Sequence, residues 1–497
     1  MFLTFFFFDL PLILCQFESK DMKSKKLTIN NFISYSRCKT LFHYLKEKPY
    51  SIENDPELVP LLQHFCNTFK DIYVDKSFGK LTKKDILKRQ KNIIQPLAFL
   101  LPELEYNNFI FRPHILYIDH TSIDVYILSP AHYVSRYFTY ILGLWKFGFD
   151  NIGLPVSRYL SISIKNKSKI SDSFFNLKFE SNRINNTQQI IRKQYDIIQD
   201  IFEHDDQPYV AMGKQCFKPS KCDHFKTCWK IQSPNIFDLV EFSFMKKLDY
   251  YNQNISSFID VKNKVDALSD RQNIQINAEL SKQPYIDKVS LTKFFNKLTS
   301  PIQCLDIEVI TNTLPIIDDF KTFEKIPFLF SLHTFNSFDQ EIFHTDFFTS
   351  IGPHTLRAFA EALIQSLKKN ATIIVYDSML ENIIFDQLCV SCPDLTTDLK
   401  QLKNNIIDIS YLFKSFKVYI PGMLGKFSLK AIHGSINPTN NHQLLELKSG
   451  SEALNNIKSY IQSDRITQQK LEKELRDYCK MDTLALVEIL FFLKSHL

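Results

Sequence analysis

The sequence predicts an α/β protein: a mixed sheet flanked by helices in the second half, preceded by a helix-rich α/β domain. Two patterns carry that expectation. From Pro301 onward, short apolar runs of strand length alternate with segments whose apolar residues recur at helical spacing. Upstream, a strand-like pair is set among longer helical stretches. Length adds the domain count, because 497 residues suggest two or three domains at about 150 residues each.

Composition narrows the classes. Apolar residues make up 44% of the chain, enough for a sizeable core. A net charge of +6 over this length permits nucleic-acid binding but barely argues for it. Glycine numbers only 10, and neither GxGxxG nor GxxxxGK[ST] occurs. The usual signatures of a dinucleotide fold and of a P-loop are therefore missing.

Residues 1–21 read as a mis-called start or disordered leader, with Met22 opening the protein. The apolar run from Met1 to Cys15 contains Asp9, has no Lys or Arg before it, and places Leu14 where a signal peptide has a small residue. It is too short to span a bilayer. A membrane anchor is the alternative. No other segment looks transmembrane, so a cytoplasmic protein that does not engage membranes is expected.

Residues 22–235 form the first expected domain. Leu27–Cys38 reads as a helix start, and a long, mostly helical region follows. Phe109–Ile118 and Ile123–Leu128 read as paired strands turning at Thr121 and Ser122. Tyr137–Trp145 reads as a helix. Cys216, Cys222 and Cys228 then follow at equal spacing, with Pro219 forcing a bend. Thiolates ligate soft or borderline metals, and four close an iron–sulfur cluster or a structural zinc site. Cys38 is the candidate fourth ligand and His224 a competitor for zinc. Coincidental free thiols are the plainer reading. Residues 236–299 show no clean period and read as a connector or small helical insert.

Residues 300–497 form the last expected domain. In Pro301–Ile310, Asp306 and Glu308 lie two apart on a strand and so share a face. Like charges on one buried face repel, which a cation between them would relieve. A surface strand whose acids face water is the plainer reading. Ile326–His333 reads as a second strand, Phe343–Phe347 as a third, and Asp318–Glu324 as the turn between the first two. Thr355–Lys369 has helical spacing. The strand Ala371–Tyr376 runs into a helix that carries Glu381 in its first turn, beyond the strand's C-terminal end, where open α/β sheets place their sites. Asp377 reads as that helix's N-cap, and Glu381 by itself as a solvated first-turn acid. Asp408 sits where a strand enters a helix, and Phe427–Ile432 starts another helix. Leu471–Leu493 reads as a long helix with Tyr478 and Asp482 at i and i+4, on one face. His333 reads as a strand-end core histidine or as a substrate contact.

One cysteine near the N-terminus and three beyond resembles the RecB-like iron–sulfur nucleases, including CRISPR-associated ones. The resemblance implies a 4Fe–4S cluster, with Zn²⁺ as the alternative, held by Cys38, Cys216, Cys222 and Cys228. It would staple the two ends of a PD-(D/E)xK domain. The Asp and the Glu-x-Lys of that family fall on His114, Ile127 and Ser129 here, and Asp260-Val261-Lys262 lies after the cysteines, in the wrong order. A fold that keeps its cluster and has lost its nuclease chemistry is expected.

The order Asp306-Ile-Glu308, Tyr376 to Glu381, Asp408, Ser428-Leu429-Lys430 and Tyr478 to Thr483 resembles the DEDD exonucleases of the RNase H-like class, tyrosine subclass. That resemblance implies an RNase H-like mixed sheet and two Mg²⁺ or Mn²⁺ ions on Asp306, Glu308, Glu381 and Asp482. It implies Tyr478 as the residue that orients water, and 3′→5′ hydrolysis of DNA or RNA ends. Glu381 stands where the family has Asp, one methylene longer. From Leu27 onward the chain also resembles a bacterial family catalogued as domain of unknown function 2779. A non-catalytic nucleic-acid-binding or interaction protein, built on degenerate nuclease folds with a structural cluster, is the alternative.

Overall fold

The computed structural model describes residues 26–45, 58–68, 72–77, 79–166, 168–169, 175–204, 209–218, 220–229, 231–315, 320–439, 445–447 and 450–497. The expected leader, Cys15 and Pro219 lie outside them. The chain is mixed α/β and divides into two compact units, Met1–Lys230 with Thr313–Phe323, and Ile231–Asn312 with Glu324–Leu497. Among the described residues, no helix is long and apolar enough to cross a membrane.

The first unit is built on a six-stranded sheet whose spatial order is Tyr73–Asp75, Leu97–Leu100, Ile115–Ile118, Ile123–Leu128, Arg158–Ile164 and Phe175–Phe179. Alternation sorts each strand between two cores. Val125 and Ile127 pack with Trp145 and Phe149 of the helix Arg136–Ile152, while Tyr126 and Leu128 pack with Leu61, Leu62 and Phe65. The region after the first helix is less helical than its composition suggests, since it supplies two of these strands. The expected strand Phe109–Ile118 is two strands. Phe109–Phe111 pairs with Leu104–Tyr106, and Ile115–Ile118 pairs with Ile123–Leu128. Pro113 lies in the break between them, where the missing N–H cannot serve a ladder. Asp119 ties the following turn by accepting from the backbone N–H of Thr121 and Ser122.

Residues 236–299 group with the second unit. They form four helices, Phe244–Asn252, Phe258–Lys264, Asp270–Ser281 and Lys288–Phe295, each begun by a Ser or Asp side chain that accepts from the first turn. Ile236, Leu239, Phe258, Val261 and Ile276 make a small core of their own.

The sheet of the second unit contains β1 (Ile302–Thr311), β2 (Lys325–Phe335), β3 (Phe343–Phe348), β4 (Thr372–Val375) and β5 (Ile406–Asp408). Their spatial order is β3-β2-β1-β4-β5. β1–β2 and β2–β3 are antiparallel, and β1–β4 and β4–β5 are parallel. Helices α1 (Thr355–Ser366), α2 (Met379–Ser391) and α3 (Thr396–Lys403) cover one face, where Leu305, Ile307 and Ile373 meet Phe359, Leu363, Ile384 and Leu399. The other face carries α4 (Leu429–Ile436) and α5 (Arg465–Lys494), with Ile302, Cys304 and Phe335 against Leu486, Leu490 and Leu493. The connection from β1 to β2 is more than a turn. Residues 313–323 belong to the first unit, where Thr322 Oγ1 donates to the Lys165 carbonyl, and residues 316–319 lie outside the described set.

Candidate metal centre

Strand alternation turns Asp306 and Glu308 to the face that α5 crosses. Asp306 is opposite Ser331, which is in turn opposite Asp346 of β3. After Glu308 the register shifts, leaving Phe328 unpaired beside Pro327. A bulge there suits a proline, which has no N–H to give.

α5 brings the remaining groups. Tyr478, Cys479, Asp482 and Thr483 are all buried, on positions three or four apart that share a helix face. Cys479 Sγ lies 3.3 Å from Asp306 Oδ2. Ligand atoms of Asp306, Glu308 and Cys479 fall within 4.8 Å of one another. Behind them, Thr483 Oγ1 is 2.8 Å from both Ser331 Oγ and His333 Nδ1, and Ser331 Oγ is 3.0 Å from His344 Nε2. His333 is thus a buried core histidine. Burial, then the positive field of His344 and Lys480, pulls its pKa down to about 4.

The acids press on one another. Burial, then the charges of Asp482, Glu308 and Glu381, holds the Asp306 carboxyl well above the usual range. Burial and then Asp482 push Glu308 up to about 8, against the opposing charge of Lys430. Burial raises Glu381 to about 7, aided by Asp408 and Asp377. Glu381 is only 3% exposed, and its Oε2 has no hydrogen-bond partner among the described residues. It is therefore no solvated first-turn acid. Tyr478 receives a hydrogen bond from Lys430 Nζ at 2.6 Å, and the same ammonium sits 4.2 Å from the ring centroid. Burial, followed by Asp482, Glu308 and Asp306, pushes that phenol far up.

Asp377 departs from its expected role. It has φ 62°, is exposed, and pairs with Lys414. The helix start is held by Asp408 instead, which accepts from the N–H groups of Asp377 and Ser378, and also from Ser410. Against the push of burial, these bonds keep the Asp408 carboxyl low. Asp408 thus anchors the strand-to-helix turn that delivers Glu381.

In the first unit, the three positions set against the Asp, Glu and Lys of the nuclease pattern serve packing. His114 Nδ1 accepts from Leu128 N at 3.0 Å, Ile127 is fully buried, and Ser129 Oγ donates to the Tyr133 carbonyl. The cysteines are near enough to act on one another by charge, although no three of their sulfurs lie within 4.8 Å of one another: the Cys216 thiol is raised by burial and by Cys38 and Cys222, and Cys228 by burial and then Cys222, Cys38 and Cys216. Arg37 helps join them by donating to the carbonyls of Gln215 and Ser220. His224 stacks on Tyr44, with centroids 4.6 Å apart.

Sequence reasoning gave no role to Cys479 or Lys430. Cys479 stood in plain view between Tyr478 and Asp482, three residues before the latter. Lys430 entered only as part of Ser428-Leu429-Lys430, and nothing there pointed to its bond with Tyr478, 48 residues on.

Residues 303–428 match the family described as a domain of unknown function (DUF2779). The match includes Asp306, Glu308, Glu381 and Asp408, and stops before Lys430 and α5. No curated protein and no solved structure matches the chain.

Proposed function

We propose that the second unit is a metal-dependent nuclease that hydrolyses phosphodiester bonds, working as a 3′→5′ exonuclease on DNA or RNA ends. One observation carries this reading. Ligand atoms of Asp306 and Glu308 lie within 4.8 Å of each other and of Cys479 although like charges oppose it, Asp482 and Glu381 are near enough to act on Asp306 by their charges, and the Glu381 Oε2 atom is buried without a partner among the described residues. Such a cluster is stabilised by cations. The mixed sheet with the acids on its central strand, and the Tyr478/Asp482 helix face, support the RNase H-like assignment.

The donor set fits hard divalent ions. Asp306, Glu308 and Asp482 would hold one Mg²⁺ or Mn²⁺, and Asp306 with Glu381 the second. Two such ions supply an activated nucleophile and a stabilised leaving oxygen. The chain's own groups do the rest. Lys430 fills an acceptor site on the Tyr478 oxygen, so the phenol acts as a donor that orients water or a phosphoryl oxygen. Lys430 also places positive charge near Glu308, where it would favour an anionic substrate. The Thr483–His333–Ser331 bonds fix the helix that carries Tyr478 and Asp482. End-labelled single-stranded DNA and RNA, incubated with Mn²⁺, test this. The wild type shortens one of them from its 3′ end and Asp306→Ala does not; equal shortening by both rules the reading out.

For the first unit we propose a cluster site on Cys38, Cys216, Cys222 and Cys228, iron–sulfur or zinc, with a structural role. The ordered placing of all four cysteines in one unit, near enough to act on one another by charge, favours it. Absorbance of anaerobically purified protein tests it. A visible band that Cys222→Ala removes marks iron–sulfur, and a colourless protein holding zinc marks the alternative.

A further inference from the structure

We propose that Cys479 is a metal ligand, making the centre a mixed oxygen–sulfur site that takes Zn²⁺ or Co²⁺ as well as hard ions. The inference rests on the metal-centre reading above and deepens it. Four carboxylates alone would favour Mg²⁺ or Mn²⁺, since oxygen donors suit hard ions while thiolates select softer ones. Here the sulfur is part of the constellation. Its Sγ is 3.3 Å from Asp306 Oδ2, and it joins the Asp306 and Glu308 donors within 4.8 Å. Ligands at about 2.0–2.3 Å around a tetrahedral zinc ion lie about 3.6 Å apart, so the sulfur and Asp306 are already at ligand spacing.

A second observation points to a cation at the same place. Glu381, which comes from a different helix, is only 3% exposed, its Oε2 has no hydrogen-bond partner among the described residues, and it lies outside the 4.8 Å group but near enough to act on Asp306 by its charge. Cys479 is fully buried, and no other cysteine lies in this group. Without a cation, its thiol donates to Asp306 and stays protonated. Ligation of a thiophilic ion releases that proton to solvent. Zinc held this way would occupy the place of a hydrolytic ion, so a sulfur ligand also implies that Zn²⁺ inhibits the nuclease.

The full chain titrated with Co²⁺ gives a readout independent of activity, because sulfur–cobalt ligation produces a near-ultraviolet charge-transfer band. Cysteines of the first unit contribute equally to wild type and variant and cancel in the difference. Wild type minus Cys479→Ser is expected to show such a band, and the same subtraction with Cys479→Ala guards against a folding defect in either variant. Zn²⁺ affinity is expected to fall about tenfold or more in both variants, with Mn²⁺ affinity nearly unchanged. Superimposable Co²⁺ spectra with Mn²⁺ still bound would overturn the sulfur ligand alone. A Co²⁺ difference band without any Mn²⁺ binding supports the sulfur ligand and overturns the hydrolytic reading. Absence of both overturns both.

Discussion

Asp124 and Asp306 both sit on sheet strands, the first buried and the second half-buried, and their carboxylates are held on different terms. Asp124 is fully buried and accepts from Arg158 Nε at 2.9 Å. Its neighbour in the same unit, Glu180, accepts from Ser161 at 2.8 Å and from Arg183 at 2.9 Å. Asp306, Glu308 and Glu381 enter no ion pair among the described residues, and the bond Asp306 receives comes from a thiol. The second unit can satisfy a buried acid when its role is structural. Glu279 accepts from the Tyr419 hydroxyl and from the N–H groups of Gly422 and Leu424. Among the described residues, the buried carboxylates Asp124, Glu180 and Glu279 are satisfied by cations or neutral donors, whereas donors run short where Glu381 Oε2 has none and Asp306 takes its bond from a thiol. That place is where an external cation is expected.

Removing the acids is the most severe way to break the contrast. Asp306→Ala or Asp482→Ala should lower nuclease activity about a thousandfold, the several kcal/mol that a metal clamp supplies, while circular dichroism stays native. Asp124→Asn should leave activity per folded molecule unchanged.

Acid should separate the units next. His114 is buried, and its pKa falls from 6.5 to about 3. Between those values the unfolded chain binds a proton that the native chain does not. Stability of the first unit is therefore fully present above pH 6.5 and is lost as pH falls, by a few kcal/mol in order of magnitude. The second unit runs the other way. Glu308 and Glu381 are raised from 4.5 to about 8 and about 7. Metal-free, their contribution is greatest below pH 4.5 and is lost as pH rises towards 8. Hydrogen exchange in EDTA across this range should show opposite slopes, and added Mn²⁺ should flatten only the second.

Matched substitutions sharpen the same point. Asp124→Asn should destabilise the first unit by about 2 kcal/mol, because it leaves Arg158 without its carboxylate. Asp306→Asn should stabilise the metal-free second unit by about 1 kcal/mol, because it removes a repelled charge. Thermal unfolding in EDTA reads both signs. Thr483→Val should give the smallest effect, about 1 kcal/mol of destabilisation, because it leaves His333 and Ser331 short of a partner. Mn²⁺ affinity should hardly change.

Local pattern made part of this legible. Period two placed Asp306 and Glu308 on one face, and i, i+4 spacing did the same for Tyr478 and Asp482. The strands from 301 onward could be read because their apolar runs are short and bounded. What escaped depends on partners distant in sequence. Asp377 looked like an N-cap because it precedes a helix, but Asp408, 31 residues later, takes the backbone donors. Asp318–Glu324 looked like a simple turn, and the grouping of residues 313–323 with the first unit has no local sign. The strands at 73–75 and 97–100 were hidden in a region that composition alone reads as helical.

Calorimetric titration of the metal-free full chain with Mn²⁺ at pH 8, wild type beside Asp306→Ala and Asp124→Asn, tests the contrast most directly. The acids of the second unit should bind Mn²⁺ in the wild type and in Asp124→Asn, and that binding should vanish in Asp306→Ala. Identical heats for wild type and folded Asp306→Ala would contradict a metal centre at Asp306.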